Sequence, residues 1–399
     1  MTATPHRTTA ERPSDGDVSG VEIALENVVK RYPGQKAAAV DSLSLTIPAG
    51  KMVMFVGPSG CGKTTSLKMI NRLIEPTSGT IRIGGEDIRT KSADDLRRHI
   101  GYVIQGGSLF PHMTVARNIE IVPRMLGWDR KRIAARVEEL LDLVGLDPAR
   151  YRDRYPRELS GGQQQRVGVA RGLAADPPVI LMDEPFGAVD PITRQRLQDE
   201  LLSIQRELHK TIVVVTHDID EAIKLGDRVL ILQEGAQIAQ YDTPEAILAA
   251  PANDFVDDFV GSGSSLKQLT LARVSDVELS ARTTAKVGES SAAAIARAEE
   301  AGDAAVVILD ERNRPVAWRF LRQLRRHDRI QDGDRESLVT LDQRATLNDA
   351  LDTMLTSSHG GAIVCGDRDQ YLGIVDFHSV TDHMRSIERD AVAAQEARA

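Results

Sequence analysis

The octapeptide Gly57-Pro58-Ser59-Gly60-Cys61-Gly62-Lys63-Thr64 carries the residue types that a phosphate chain demands. Glycines let backbone amides close around phosphate oxygens, and a helix starting at once behind them adds the positive end of its dipole. Lys63 reaches the β- and γ-phosphates, and the Thr64 hydroxyl is a hard oxygen ligand for Mg²⁺, with Thr65 beside it in the same turn. Cys61 stands where a nucleophile could, but the loop needs small residues and Cys61 reads as one of them. A second pair of charges ends the apolar run Val179-Ile180-Leu181-Met182. There Asp183 is placed to hold a metal through water and Glu184 to polarise an attacking water. His217 follows the run Thr211 to Thr216 and has two readings, a contact to the γ-phosphate or a structural histidine at a strand end. The set predicts binding and hydrolysis of ATP with Mg²⁺, Lys63 and Glu184 acting as catalytic residues, His217 joining them on the first of its two readings, and Thr64 and Asp183 as metal ligands.

These groups meet only if short buried strands deliver them to one edge. Met52 to Val56 is a continuous apolar run, and a helical stretch from Lys63 to Leu73 follows the glycine loop, giving a strand, loop and helix of an α/β nucleotide-binding core. Val179 to Met182, Ile212 to Val215 and Val229 to Leu232 read as further buried strands of a mostly parallel sheet. Val21 to Gly50 alternates apolar and polar residues, as half-exposed antiparallel strands do. From about Asp94 to Tyr155 the apolar residues, Val137, Leu140, Leu141, Leu143 and Val144 among them, fall at helical spacing, which predicts an inserted helical subdomain.

With 399 residues and 41% hydrophobic content the chain has room for two or three domains. Two cysteines, Cys61 and Cys365, are too few for a disulfide framework and point to a reducing, cytosolic setting. Met1 to Gly20 has no signal-peptide core and reads as a disordered tail, and no apolar run is long enough to span a bilayer, so any membrane role requires a partner. The net charge of −8 and the aromatic content of 4% argue against a nucleic-acid binder. Gly261-Ser262-Gly263-Ser264-Ser265 reads as a flexible linker, and two weakly similar units follow it, one with the strand Val306 to Leu309, the other with Ala362 to Cys365 and Gly373 to Val375. Arg319, Arg322, Arg325, Arg326 and Arg329 fall together on an expected helix, either facing anionic lipid or forming a solvated face.

Leu159-Ser160-Gly161-Gly162-Gln163, just ahead of a helix, makes the pattern specific. With the phosphate loop, Gln105, Asp183-Glu184, Asp190 and His217 in that order, the region Val21 to Gly261 resembles an ABC-transporter ATPase domain. The resemblance implies that Ser160, Gly161, Gly162 and Gln163 of one copy cap the γ-phosphate held by the loop of a second copy in a homodimer, with Asp190 also at the nucleotide. It implies that Gln105 touches the Mg²⁺ shell, contributes to catalysis and couples the nucleotide to the helical subdomain. Tyr32 either stacks on adenine, as the family implies, or is a turn tyrosine. Leu109 to Met113 either helps to receive a helix of an integral membrane permease or packs in the core. The implied location is peripheral, on the cytoplasmic face of the membrane, with an extracellular substrate-binding protein as an indirect partner.

Longer stretches narrow the resemblance. Lys68 to Gly79, Ile100 to Gln105, Asp183 to Ala188, Gly187 to Arg194 and Thr216 to Lys224 resemble the glycine betaine/carnitine/choline importer ATPases, with Val189 in place of the usual leucine. Such proteins often end in tandem cystathionine-β-synthase (CBS) domains, and Val339 to Val375 is similar to one. Where nucleotide-binding CBS units place Thr and Asp, this chain has Asp376 and Ser379, and Trp318 and Leu321 in the first unit, so dimerisation or a response to cyclic di-AMP or ionic strength stands beside nucleotide sensing. The fold class expected is therefore α/β: a P-loop ABC ATPase domain with mixed-sheet core, antiparallel β subdomain and inserted helical subdomain, then a smaller α+β CBS pair. The boundaries expected are a tail at 1–20, the ATPase at 21–261 with its helical subdomain at about 95–158, a linker at 262–269, the CBS pair at 270–387 and a tail at 388–399. A non-transport ABC ATPase, or an importer of a different small polar solute, is the alternative function.

Overall fold

The computed structural model describes residues 20–104, 108–187, 190–261, 264–332 and 338–396. Two compact units divide at Pro244 and Glu245.

The first unit is built on a six-stranded sheet. β1 (Ile23–Lys30), β2 (Val40–Ile47), β4 (Ser78–Ile83) and β5 (Glu86–Asp87) form a separate four-stranded antiparallel sheet in the order β2-β1-β4-β5. The six-stranded sheet runs β10-β9-β3-β8-β7-β6, from β3 (Met52–Val56), β6 (Ile100–Val103), β7 (Val179–Asp183), β8 (Thr211–Val215), β9 (Arg228–Gln233) and β10 (Gln237–Asp242). All of its pairs are parallel except β9 with β10. Every residue of β3 and β8 is buried, which is why their sequences are unbroken apolar runs. The alternating β1 and β2 set Ile23 opposite Ile47 and Leu25 opposite Leu45 and bury all four in one cluster with Phe55, Leu67 and Val213.

The helical insertion starts later than the spacing predicts. Ile100–Val103 is a strand at the edge of the main sheet, its residues Ile100 to Val103 paired with Val179 to Met182, so the insertion begins after Val103. A short strand among helices is hard to read from periodicity, but Gly101 marks it: a Cβ there would lie 2.4 Å from the Gly172 carbonyl oxygen, so only glycine lets the helix Gly161–Leu173 lie this close to β6. Within the insertion, Val137, Leu140, Leu141 and Val144 are buried as their spacing requires, while Leu143 is half-buried.

The second unit contains two repeats of strand, helix, strand, strand. β11 (Thr284–Lys286), the helix Ser291–Ala301, β12 (Ala305–Leu309) and β13 (Pro315–Phe320) make the first; β14 (Thr340–Asp342), the helix Leu347–Thr356, β15 (Gly361–Cys365) and β16 (Tyr371–Asp376) make the second. In each the first two strands are parallel and the last two antiparallel. Val307 and Leu309 share a buried cluster with Ile363, Cys365 and Ile374, so the repeats pack on each other. Arg282 joins them by charge, 3.1 Å from Asp303 and 3.2 Å from Asp376.

Three expectations fail here. The glycine and serine composition marks 262–269 as a linker, but Ser264–Leu271 is a helix whose Leu269 lies in the core with Leu347 and Ala350. The tail expected from 388 is helix as far as Glu396, in Phe377–Glu396. The five arginines do not share a helix: Arg319 is in β13, Arg322 in the single turn Leu321–Leu324, Arg325 at its end, and Arg325 pairs with Glu299 at 2.6 Å. At the other end, Gly20 is already tied in, its N–H donating to the His209 carbonyl at 3.1 Å, and residues 1–19 lie outside the described residues.

In the second unit the His359 ring stacks on Trp318 at 4.3 Å and on Phe320 at 4.4 Å, with interplanar angles of 9° and 17°. Two rings cannot lie side by side on one face of an imidazole at those separations, so they flank it. A cavity of about 340 Å³ adjoins all three rings. Burial, and secondarily the nearby Arg319 charge, lower the His359 pKa from 6.5. The unfolded chain therefore takes the proton more readily, and the stability this neutral histidine contributes is present above about pH 6.5 and lost as pH falls through the folded value. The chain has two tryptophans, so in a Trp128→Phe background Trp318 emission alone reports this unit. Its unfolding midpoint in denaturant should drop between pH 7 and 5, and His359→Gln should flatten that dependence.

Candidate functional site

β3, β8 and β7 are neighbours and parallel, with Phe55 in register with Val215 and Val215 with Asp183. Their C-terminal ends therefore open on one edge, and the chemistry-bearing residues follow directly: the loop from Gly57, Asp183-Glu184, and Thr216-His217. Crevices outside the carboxyl ends of parallel strands are where such sheets bind ligands.

The loop holds Gly57, Gly60 and Gly62 at φ 147°, 84° and 111°. Gly62 has no alternative, because a Cβ there would fall 2.6 Å from the Ala39 carbonyl oxygen. Pro58, Ser59 and Gly60 are exposed, while Cys61 is buried and its carbonyl accepts from Ala236 N–H at 2.7 Å. The Lys63 side chain is buried, its Nζ donating to the Gly57 and Pro58 carbonyls at 2.7 and 2.9 Å and lying 3.7 Å from the Cys61 sulfur. Cys61 is thus a small filler of the loop wall, as its position in the pattern implies. Gly62 caps the helix Lys63–Ile70 without a side-chain bond. The first-turn N–H groups, including those of Thr64 and Thr65, have no intrahelical acceptor and suit an anion in front of them.

Thr64 Oγ1 donates to Asp183 Oδ1 at 2.9 Å, uniting two residues 119 apart in sequence. Burial raises the Asp183 pKa, the Thr64 bond opposing it, and burial with Asp183 nearby pushes the Tyr102 hydroxyl to about 12. Hydroxyl and carboxylate are the hard oxygen donors of Mg²⁺ sites that take few protein ligands. Among the described residues no three His, Cys, Asp or Glu side chains group as a metal cluster. Glu184 sits at φ 45°, its N–H donating to Val215 O at 2.9 Å, and its Oε1 is 3.5 Å from His217 Nδ1. Strain of this kind costs about 1–3 kcal/mol, within what one fully buried Val or Ile of β7 or β8 contributes, about 1.5–3 kcal/mol.

Ser160 caps the helix Gly161–Leu173: its Oγ accepts from Gln163 N–H at 3.3 Å, and Gln163 Oε1 accepts from Ser160 N–H at 2.9 Å. This capping box leaves the N–H groups of Gly161 and Gly162 without an intrahelical partner. The bonds of Ser160 to Gln163 are local, and none reaches the phosphate loop among the described residues. Asp190 is exposed, its carbonyl taking Arg194 N–H at 2.8 Å. Tyr32 carries the turn in which Gln35 N–H reaches its carbonyl, and Lys30 Nζ lies 5.2 Å from its ring. Gln105 lies outside the described residues. Sequence reasoning gave no role to Thr216, Glu221, Gln198 and Arg194, which form a polar group behind His217. Their only signal in the sequence was Glu221 on an otherwise core-facing turn.

A strand-ended phosphate loop, a hydrogen-bonded Thr–Asp pair and a glutamate beside a histidine define a P-loop ATPase. The ABC transporter family model matches residues 40–187. The osmoprotectant import ATP-binding protein OsmV of Salmonella typhimurium is 50% identical over 76% of this chain and 80% of its own. The glycine betaine/carnitine/choline transport ATP-binding protein OpuCA of Bacillus subtilis is 44% identical over 90% and 95%. The dimeric post-hydrolysis state of the ATP-binding cassette MJ0796, bound to ADP and Pi, superposes with a TM-score of 0.51 at 35% identity, over 56% of this chain and 98% of that one. The chain belongs to the ABC transporter ATP-binding subunits, in the family of these osmoprotectant importer proteins. It is an ABC-type ATPase, and among the described residues no helix is long and apolar enough to cross a membrane.

The loop geometry sets a test. Gly62→Ala adds strain of about 1–3 kcal/mol and should weaken binding of a fluorescent ATP analogue about ten- to a hundredfold, with the circular dichroism spectrum unchanged. Lys63→Ala should lose binding to a similar degree.

Proposed function

We propose that two copies of this chain bind two ATP molecules between them and that hydrolysis drives uptake of a quaternary amine osmoprotectant, such as glycine betaine, carnitine, choline or proline, through a separate integral membrane permease. The observation that carries the reading is the meeting of Lys63, Thr64, Asp183, Glu184 and His217 at the ends of three adjacent parallel strands. Solute choice follows the relatives, whose names specify osmoprotectant, glycine betaine, carnitine and choline transport.

Lys63 and the first-turn amides of Lys63–Ile70 bind the phosphates. Thr64 and Asp183 would hold Mg²⁺, with Gln105 completing its shell, and the ion supplies charge neutralisation to the phosphoryl oxygens. Glu184 accepts the proton of the attacking water, and His217 orients that carboxylate and the γ-phosphate. Tyr32 stacks on adenine. The open amides of Gly161 and Gly162, with Ser160 and Gln163 framing them, cap the γ-phosphate of the partner copy, a donor set worth a factor of about 10²–10³ in rate per donor at comparable sites. Asp190 meets the same interface. Phe110 is 45% exposed, which weighs against simple core packing of Leu109 to Met113 and favours a groove for a permease helix, with buried Asn118 holding the segment through Phe110 N–H at 2.8 Å. An extracellular substrate-binding protein would deliver the solute, and the site faces the cytoplasm.

The two C-terminal repeats have the strand, helix, strand, strand order of a CBS pair and act as its regulatory unit. Asp376 is already engaged by Ser379 N–H at 3.0 Å, Ser280 Oγ at 3.0 Å and Arg282, so it is not free to hold a ribose. That favours dimerisation or ionic sensing over adenosine binding.

Glu184→Gln should keep ATP binding and trap an ATP-bound dimer in size-exclusion chromatography; an untrapped monomer with ordinary turnover would refute the mechanism. Reconstituted with its permease in liposomes, the chain should drive ATP-dependent uptake of betaine, carnitine, choline or proline and not of an unrelated sugar.

A further inference from the structure

His217 sits between two residues that are bonded to each other and, through Thr216, to one buried carboxylate. Thr216 Oγ1 donates to Glu221 Oε2 at 2.7 Å and accepts the Asp218 N–H at 3.1 Å, so the residues on either side of His217 are joined through the Thr216 hydroxyl, which in turn bonds the carboxylate. Thr216 N–H donates to Phe55 O at 3.1 Å, which pins this point to β3 and the phosphate loop behind it. The other oxygen of Glu221 takes Gln198 Nε2 at 3.4 Å and lies 3.8 Å from Arg194 Nε. Both of those residues belong to the helix Pro191–Leu208, which begins directly after Asp190.

Glu221 is 7% exposed, Thr216 2% and Gln198 6%, so this is a polar group inside the unit rather than on its surface. Capping does not account for it. Asp218 already caps the helix Ile219–Leu225, its Oδ1 accepting from the N–H groups of Asp220 and Glu221 at 2.8 and 3.2 Å. A carboxylate is costly to bury, and an apolar residue on this helix face would pack at less cost. What the carboxylate adds is a fixed geometry: a short bond to Thr216 on one side and a charge and amide contact to the neighbouring helix on the other.

We propose that Glu221 is a positioning residue for ATP hydrolysis, holding His217 against Glu184 and tying that contact to the helix that follows Asp190. The proposal rests on the reading of His217 and Glu184 given above. It makes the histidine's placement depend on where the helix Pro191–Leu208 lies, so a shift of that helix moves the catalytic contact.

The test is a double-mutant cycle with Glu221→Ala and His217→Ala, measuring steady-state ATPase activity of the full chain with its permease. His217→Ala alone should lower kcat; unchanged turnover there would refute the role of His217 and leave Glu221 nothing to position. Glu221→Ala should lower kcat about tenfold with KM for ATP within about twofold, and should cost nothing further in the His217→Ala background. An additive loss, or a rise in KM alone, would overturn the proposal, because a merely structural role weakens both backgrounds alike. Glu221→Gln, which keeps an acceptor for Thr216, should restore most of the rate. If Glu221→Ala does not fold, Thr216→Val cuts the same tie and the cycle is run with it, with the same expected non-additivity.

Discussion

Parallel pairing of β3, β8 and β7 is the constraint on which the site depends. It sets Phe55, Val215 and Asp183 level across three strands, so the residues that follow each strand emerge at one edge. A parallel sheet needs crossover segments that cover both faces, and this explains why these strands are apolar throughout. The apolar burial that holds the register also supports the strained backbone at Glu184. Function and stability are therefore not separate parts of the first unit: the sheet centre holds the site's geometry.

Charge then decides what that edge can do. Lys63 points its ammonium into the loop carbonyls, and Thr64 and Asp183 meet at 2.9 Å, so the cation and the hydroxyl–carboxylate pair of the site are positioned by the chain itself. Glu184 and His217 follow the neighbouring strands β7 and β8, and their side chains lie 3.5 Å apart. Behind them, the buried Thr216, Glu221 and Gln198 replace what could have been apolar packing with directional bonds. Directional bonds specify one arrangement where apolar contacts tolerate several.

The second unit uses the same devices differently. Its repeats are joined by a shared apolar cluster and by Arg282 between two carboxylates, Asp303 and Asp376. Burial alone would raise both acids, yet hydrogen bonds from Thr283 to Asp303 and from Ser379 and Ser280 to Asp376, together with Arg282, hold both below the usual carboxylate range. His359 between Trp318 and Phe320 is the opposite case, a titratable ring kept neutral by its surroundings.

Features governed by a few consecutive residues were legible in the sequence by itself. The phosphate loop, the buried strands and the alternating β1 and β2 all follow from local rules of backbone freedom and periodicity. The family followed from the order of those motifs. Tertiary structure decided whatever depends on partners far along the chain. It made a strand of Ile100–Val103, because β7 lies beside it and Gly172 allows close approach. It made a helix of Ser264–Leu271, because Leu269 finds a core that a count of glycines and serines does not reveal. It scattered five arginines that only sequence proximity had grouped, and it gathered Gln198, Thr216 and Glu221, which no spacing rule connects. The physical reason is the same each time: local propensity is a property of neighbours in the chain, whereas burial and pairing are properties of neighbours in space, and where the two disagree the larger buried area prevails.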